Sequence, residues 1–134
     1  MSGSTYDALA SRIRETLPVA LCTVIEGPGT GAAMAVSPEG LLHGSLGNEE
    51  LDRVVLRDAV GELEAARTVV RHYGPQGQST PEDLHDTPTV KVFIESFAPP
   101  PRMWIFGAVD FTAALARVAK VLGYHVTVCD AREI

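Results

Sequence analysis

The chain has 134 residues, 46% of them hydrophobic and 21% charged, which is the composition of a globular protein and enough length for one full domain plus at most part of a second. Its net charge of −6, without any cluster of Lys or Arg, argues against nucleic acid as a partner, because affinity for a phosphate backbone depends on clustered cations. The sequence shows neither the pattern of a signal peptide nor an apolar run of about 20 residues, so we expect a cytoplasmic protein without a membrane span.

The N-terminal segment predicts a helix followed by a buried strand. Ser4 and Asp7 have the spacing of a capping box, and Pro18 ends the helix. Three apolar residues between them fall on one helical face: Leu9, Ile13 and Leu17. Residues 19–25 are apolar at both alternating sets of positions and rich in β-branched side chains, so they predict a central strand that is covered on both faces.

A hairpin and a second helix are predicted next. Residues 32–36 and 41–43 have the composition of strands, and residues 37–40 between them place Pro and Gly where a type I turn needs them. Asn48 is a favourable N-cap, and apolar side chains recur at helical spacing after it. This pattern predicts a helix over residues 49–67.

Three further segments complete a first domain over residues 1–97. Residues 68–73 have the composition either of a strand or of the end of the preceding helix, and residues 74–88 have that of a polar loop. Residues 89–97 are rich in β-branched and aromatic side chains and predict the last strand. We therefore expect an α/β domain with a mixed sheet.

A proline-rich linker, residues 98–102, separates this domain from a second unit over residues 103–134, because consecutive prolines donate no backbone hydrogen bonds and favour an extended chain. Residues 103–106 predict a buried strand, residues 111–122 an Ala-rich helix, and residues 125–129 a second strand. The second unit is therefore predicted to be an incomplete Rossmann-like β-α-β unit.

Nearly the whole sequence from about Val19 onward, including residues 97–103 and 113–117, is similar to one protein family, and three segments carry most of the similarity. They are Gly107-Ala108-Val109-Asp110-Phe111, the stretch from Leu122 to Arg132, and Gly44-Ser45-Leu46-Gly47. They resemble the xanthine dehydrogenase accessory proteins, or XdhC/CoxI-like family, over the N-terminal domain and the start of the Rossmann-type domain. The resemblance implies a maturation factor that is not an enzyme. Such a factor binds molybdenum cofactor (molybdopterin) as cargo, assists its sulfuration, and inserts it into an apo-molybdenum hydroxylase of the xanthine dehydrogenase type. A cysteine desulfurase, as the source of sulfur, is a second candidate partner.

The sequence departs from the family pattern after the Gly-Ser hairpin. Many members have a Gly-Gly-Cys-Glu motif there, and its cysteine thiolate would be a suitable soft ligand for molybdenum or sulfur. This sequence has Gly47-Asn48-Glu49 instead, without a thiol.

A second departure lies in the dinucleotide-binding fingerprint. Gly107 is kept, but Val109 and Thr112 occupy the other two glycine positions, and Asp110 places a negative charge where a phosphate would bind. These changes oppose NAD binding. Asp130 nevertheless lies where a ribose-binding carboxylate is expected.

Seven residues are candidates for contact with a cofactor: Gly44, Ser45, Gly47, Asn48, Gly107, Asp110 and Asp130. The turn of residues 44–48 leads into a helix N-terminus, which presents N–H groups and a positive dipole to an anion. Simple helix capping is an equally good interpretation of the same residues. The glycine loop at residues 27–31 could contact a pterin phosphate in the same way, but it is better explained as a plain turn.

No catalytic or metal-binding residue is predicted. His43 and His72 could be polar contacts in a cofactor cleft, but a lone histidine near a strand end is usually a surface or packed residue. No second histidine is spaced to share a metal with His85 and Asp86. Cys22 and Cys129 are expected to be buried thiols rather than a disulfide.

Three functions remain open from the sequence. The first is the non-enzymatic cofactor carrier. The second is a nucleotide-binding (NAD-type) oxidoreductase-like or regulatory module, supported by Gly107 and Asp130. The third is an interaction domain that binds the dehydrogenase without cofactor. A β-α-β unit alone leaves apolar surface uncovered, so we expect either a homo-oligomer or a chain that is part of a longer protein.

Overall fold

The computed structural model describes residues 2–78, 89–107 and 110–130. The chain divides into two compact units, Met1–Ala98 and Pro99–Ile134, and each combines helix and strand. The α/β class predicted from the sequence is confirmed. Within the described ranges, no helix is long and apolar enough to cross a membrane.

The first unit contains a five-stranded sheet and two helices. Its elements follow in the order α1 (Ser2–Arg14), β1 (Val19–Glu26), β2 (Ala33–Ser37), β3 (Gly40–Gly44), α2 (Glu49–Glu64), β4 (Val69–Tyr73) and β5 (Val90–Phe97). The strand order across the sheet is β3-β2-β1-β5-β4. β1 is therefore the central strand, as predicted, and its first four residues, Val19 to Cys22, are buried on both faces.

The sheet of the first unit is antiparallel throughout, so the prediction of a mixed sheet is wrong. Short turns join β1 to β2 and β2 to β3, and short turns can only join antiparallel neighbours. A parallel pair needs a crossover between neighbouring strands. Helix α2 connects β3 to β4, but these strands lie at opposite edges of the sheet, so no parallel pair results.

Helix α2 and one face of the sheet enclose the core. The apolar residues of α2 recur at helical spacing and are buried: Leu51, Val55, Ala59 and Leu63. They pack in one cluster with alternate residues of three strands: Ala20, Cys22, Val24, Met34, Val36, Val90, Val92 and Ile94. Helix α1 lies against β1, β2 and β3. Packing of α2 across the sheet places its N-terminus beside the loops that form the site below.

The end of α2 and the following strand resolve an ambiguity of the sequence. The helix ends at Glu64, earlier than the predicted residue 67, and Ala66 has a positive φ of 54°, which is incompatible with a continuing helix. Residues 69–73 form strand β4 and not a helix end. Most of the predicted polar loop, residues 79–88, lies outside the described residues.

The second unit is a β-α-β unit, as predicted, but the prediction that its first strand is buried is wrong, because Trp104 and Phe106 are exposed. Strands β6 (Arg102–Phe106) and β7 (His125–Cys129) pair in parallel, and α3 (Asp110–Val121) connects them. β6 begins at the last residue of the predicted linker. The carboxyl ends of both strands lie at the same edge, which is where ligands bind in open parallel sheets.

Candidate functional site

A small cleft lies beside the N-terminus of α2, and we call it the α2 cleft. Its volume is about 260 Å³. Its lining comes from the loops that follow β1, β3 and β4, from α2 and from the start of β5: Pro28, Gly29, Leu46, Gly47, Asn48, Leu51, Pro75 and Val90. The cleft therefore exists only because the antiparallel sheet brings the ends of these strands to one side of the molecule.

The loops approach each other closely enough to require glycine. Gly29 has a φ of +84°, and a Cβ atom placed there would lie 3.1 Å from the carbonyl oxygen of Leu46. Gly77 has a φ of +86°, and a Cβ atom there would lie 3.0 Å from the carbonyl oxygen of Glu50 in the first turn of α2. Any larger residue at either position would be strained and crowded against backbone.

The floor of the α2 cleft is apolar and the mouth is formed by less buried residues. Leu46 and Leu51 are each 2% exposed, and Val90 is 1% exposed. Pro28 is exposed and Pro75 is half-buried. None of the lining residues has a titratable side chain.

Asn48 caps α2, as its residue type predicts. Its Oδ1 accepts hydrogen bonds from the N–H groups of Glu50 at 3.0 Å and Leu51 at 3.1 Å. These are two of the backbone donors that a helix N-terminus would otherwise offer to an anion. Capping is therefore the interaction that the structure shows for this residue.

Asp52 and Ser45 hold the turn of residues 44–48 in place. The Oδ1 atom of Asp52 accepts from the N–H of Leu46 at 2.7 Å, and its Oδ2 accepts from the Ser45 hydroxyl at 2.6 Å. The N–H of Gly47 donates to the Ser45 hydroxyl oxygen at 3.0 Å. The N–H groups of Leu46 and Gly47 thus have side-chain acceptors, and no sequence pattern had identified Asp52 as the acceptor for Leu46.

The structure separates the four candidates of this turn by role. Gly47 and Asn48 line the α2 cleft, whereas Ser45 supports the turn from the side. Gly44 lies at the end of β3 with a φ of +97°, where a Cβ atom would collide with the carbonyl oxygen of Ala33. Gly44 is therefore explained by sheet geometry.

The first turn of α2 is acidic. Glu49, Glu50 and Asp52 stand there, and Arg53 pairs with Glu50 at 2.6 Å. Neither Lys nor Arg lines the α2 cleft in the part of the chain that the structure describes. An anionic ligand such as the phosphate of molybdopterin would meet like charge, and four nearby N–H groups, those of Leu46, Gly47, Glu50 and Leu51, already have acceptors. The residues of the cleft therefore do not fit it.

The remaining three candidates lie in the second unit. The N–H of Gly107 donates to the carbonyl oxygen of Cys129 at 2.8 Å, and the Thr112 hydroxyl donates to the carbonyl oxygen of Gly107 at 3.0 Å. Asp110 is the first residue of α3, and Asp130 follows β7 and is exposed. Gly107 follows the carboxyl end of β6, and Asp130 follows the carboxyl end of β7. These are the positions that the dinucleotide-binding fingerprint predicts for the first glycine and for the ribose-binding carboxylate.

The cysteines and histidines take ordinary structural positions. Cys22 is fully buried, as predicted, and burial raises the pKa of its thiol to about 12. Cys129 is half-buried and also free. His43 Nδ1 lies 2.8 Å from the hydroxyl of Thr5 and so links β3 to α1, while His72 lies in β4. Within the described ranges no three His, Cys, Asp or Glu side chains are arranged to hold a metal ion, and His85 and Asp86 fall outside those ranges.

Three residues that line the α2 cleft were not among the candidates predicted from the sequence, namely Pro28, Gly29 and Pro75. The loop of residues 27–31 was better explained as a plain turn, and the structure shows that it is a turn and also one wall of the α2 cleft. One signal was present in the sequence, namely that several loops following strands each combine Gly with Pro or Asn. Only the strand order shows that these loops meet.

Comparison with known protein families finds a match over the first unit. The sequence model of the XdhC and CoxI family matches residues 12–74, which extend from α1 through β4. The matched segment includes most of the lining of the α2 cleft. No curated protein matches the chain.

Proposed function

Because residues 12–74 make this chain a member of the XdhC and CoxI family, we propose that it is an accessory factor in the maturation of a molybdenum hydroxylase of the xanthine dehydrogenase type. The family indicates a role in the maturation of xanthine dehydrogenase or carbon monoxide dehydrogenase. The observation that carries the proposal is the position of the match, since it covers α2 and the turn of residues 44–48.

The proposal gives the chain no turnover of its own. The lining of the α2 cleft consists of Pro, Gly, Leu, Asn and Val, and none of these can act as a nucleophile or a general base in the cleft. Cys22 has a raised pKa and keeps its proton at neutral pH, so it does not supply a thiolate. The role that we propose is binding and delivery rather than turnover.

The proposed cargo is the molybdenum cofactor, as the resemblance of the sequence implies. The α2 cleft is not the proposed binding site of this cofactor, because the N–H groups of Leu46, Gly47 and Glu50 already have acceptors and the first turn of α2 is acidic. We propose that the first unit contacts the enzyme, and we do not place the cofactor in the α2 cleft. A cysteine desulfurase is the proposed source of the sulfur.

A homo-oligomer is also part of the proposal. The second unit exposes several large apolar side chains, among them Trp104 at 56%, Phe106 at 79% and Phe111 at 72%. Apolar surface of this kind is normally covered by another protein surface. Native mass spectrometry at micromolar concentration tests this point, and a stable monomer would contradict it.

The test of the proposed function is co-expression with a xanthine dehydrogenase-type enzyme. With the chain present, we expect the purified enzyme to have higher activity, full molybdenum content and more cyanide-releasable sulfur. A molybdenum enzyme whose cofactor carries no terminal sulfur ligand serves as the control and should not respond. Full activity and full sulfur content without the chain would overturn the proposal.

A second candidate function is supported by the geometry of the second unit. The parallel pair β6 and β7 places Gly107 and Asp130 at the edge where dinucleotides bind. Calorimetric titration with NAD tests this function, and saturable binding that is lost in Asp130→Ala would replace the carrier proposal. If neither NAD nor molybdopterin binds but the enzyme is captured, the chain is an interaction domain.

A further inference from the structure

The α2 cleft has the size and lining of a socket for one apolar side chain. Its volume of about 260 Å³ lies below the roughly 300–1,000 Å³ of most small-molecule sites. Leu46, Leu51 and Val90 form an almost fully buried floor, and the prolines at the mouth add apolar surface. The cleft is thus better suited to a side chain of a partner than to a complete cofactor.

A carboxylate next to the α2 cleft in the sequence, that of Glu49, favours a cationic residue next to the inserted apolar side chain. Glu49 directly follows Asn48, which lines the cleft, and its exposed carboxylate makes no ion pair within the described ranges. The two other acidic residues of this turn already have partners, because Glu50 forms an ion pair with Arg53 and Asp52 accepts two hydrogen bonds. A negative charge is favourable at this position, since it lies at the positive end of the helix. Of the three acidic residues in the first turn of α2, Glu49 is the one whose carboxylate has no partner in the described part of the chain, so it can pair with a cation.

We propose that the α2 cleft binds an extended segment of a partner polypeptide, which inserts one apolar side chain and pairs an adjacent Arg or Lys with Glu49. The identity of the partner rests on the proposed function, under which the segment belongs to the molybdenum hydroxylase. Burial of the apolar side chain provides most of the affinity, and the ion pair sets orientation and selects against acidic segments.

Titration with two probe peptides tests the socket directly. Each is acetylated and amidated, with the sequences Gly-Gly-Leu-Arg-Gly-Gly and Gly-Gly-Leu-Glu-Gly-Gly, and binding is followed by the backbone amide signals of the isotopically labelled full chain. We expect the Arg peptide to shift the signals of Gly29, Gly47 and Leu51 with a Kd of about 1 mM. The Glu peptide should bind about threefold more weakly, which is the size of an exposed ion-pair effect.

Matched variants separate the two parts of the socket. Glu49→Gln should remove the difference between the peptides, whereas Glu64→Gln, at the other end of α2, should keep it. Pro28→Trp should block the mouth and abolish the shift of Leu51. Pro38→Trp makes the same change in the exposed turn between β2 and β3 and should have no effect.

Three results would overturn the proposal. They are equal binding of the two peptides, absence of shifts at about 5 mM peptide, and larger shifts of the same amides with pyrophosphate. If the peptides fail while co-expression still raises enzyme activity, the socket is wrong and the proposed function stands. If the peptides bind while the enzyme gains neither activity nor sulfur, the socket stands and its assignment to the hydroxylase is wrong.

Discussion

Arg71 of the edge strand β4 donates from Nη2 to Oε1 of Glu62, a buried carboxylate of α2, across 2.6 Å. Glu62 is 3% exposed and also accepts from Nε of Arg67 at 3.0 Å. The hydrogen bond from Arg71 is the largest cause that lowers the pKa of Glu62, with Arg67 adding to it, while burial acts in the opposite direction. These contacts attach an edge strand to the helix that covers the core.

We expect Glu62→Gln to lower the free energy of unfolding by about 1–3 kcal/mol, because it removes a charge from hydrogen bonds with two arginines. Urea denaturation measures this change. The exposed Glu64 provides the control, and Glu64→Gln should change stability by less than about 0.5 kcal/mol. Equal effects of the two substitutions would show that the ion pairs of Glu62 contribute no stability.

The lowered pKa of Glu62 predicts a loss of stability in acid. A carboxyl group whose pKa is depressed in the folded state stabilises the fold above its unfolded pKa of about 4.3. That contribution disappears as the pH falls through the folded pKa. The difference in unfolding free energy between the parent chain and Glu62→Gln should therefore be constant near neutral pH and shrink below about pH 4. A difference that does not change over this range would contradict the assignment.

Tyr73 makes a second contact between β4 and α2. Its hydroxyl donates to Oδ2 of Asp58 at 2.7 Å, and the side chain is 1% exposed. We expect Tyr73→Phe to cost about 1–2 kcal/mol, measured by thermal denaturation, because the hydrogen bond is to a charged acceptor.

The pKa of Tyr73 predicts the behaviour of the chain in alkali. Burial is the largest cause that raises this pKa, and the hydrogen bond to Asp58 adds to it. The protonated phenol is favoured in the fold, so its contribution is complete below the unfolded pKa of about 10 and decreases as the pH rises beyond it. Tyr73→Phe should lack this alkaline decrease, and an unchanged pH profile in the variant would contradict the prediction.

The capping role of Asn48 predicts a specific pattern of substitutions. Asn48→Ala should destabilise the chain by about 1 kcal/mol, because Glu50 and Leu51 lose their side-chain acceptor. Asn48→Ser should restore most of the loss. Both are measured by thermal denaturation, and equal stability of the Ala and Ser variants would exclude capping as the role of this residue.

Burial of Cys22 predicts low thiol reactivity. Its pKa of about 12 leaves almost no thiolate at neutral pH, and the side chain is fully buried. Modification by a disulfide reagent should therefore require unfolding. The half-buried Cys129 should react first in the native chain, and Cys129→Ser should abolish the fast phase. Persistence of that phase in the variant would contradict the predicted order.

Local patterns in the sequence predicted the elements but not their arrangement. Asn48 and the apolar spacing after it were sufficient to place α2, and the Pro-rich segment followed by two strand-like runs was sufficient for the β-α-β unit. The antiparallel sheet was not predicted, because strand direction depends on which strands are neighbours and α2 joins strands at opposite edges. Ile13 was expected on the apolar face of α1, yet it is 46% exposed, and among the side chains described from Ser4 to Arg14 it is Thr5 that is buried.

The candidate site was predicted only in part for the same reason. Gly47 and Asn48 were identified from a turn that leads into a helix, which is a local pattern. Pro28 and Pro75 became part of the same cleft through the strand order, which no spacing in the sequence encodes. The ion pair of Arg71 with Glu62 likewise depends on β4 lying beside the last turns of α2.

The central position of β1 also affects how this chain folds during synthesis. One edge of β1 pairs with β2, which the ribosome makes soon afterwards, but the other edge pairs with β5, whose residues emerge much later. Until Phe97 has left the exit tunnel, the nascent chain exposes an incomplete hydrogen-bonding edge next to half-formed apolar packing. The sheet of the first unit therefore cannot close before β5 has been synthesised, and a ribosome that stalls before β5 holds a chain whose central strand is paired on one edge only.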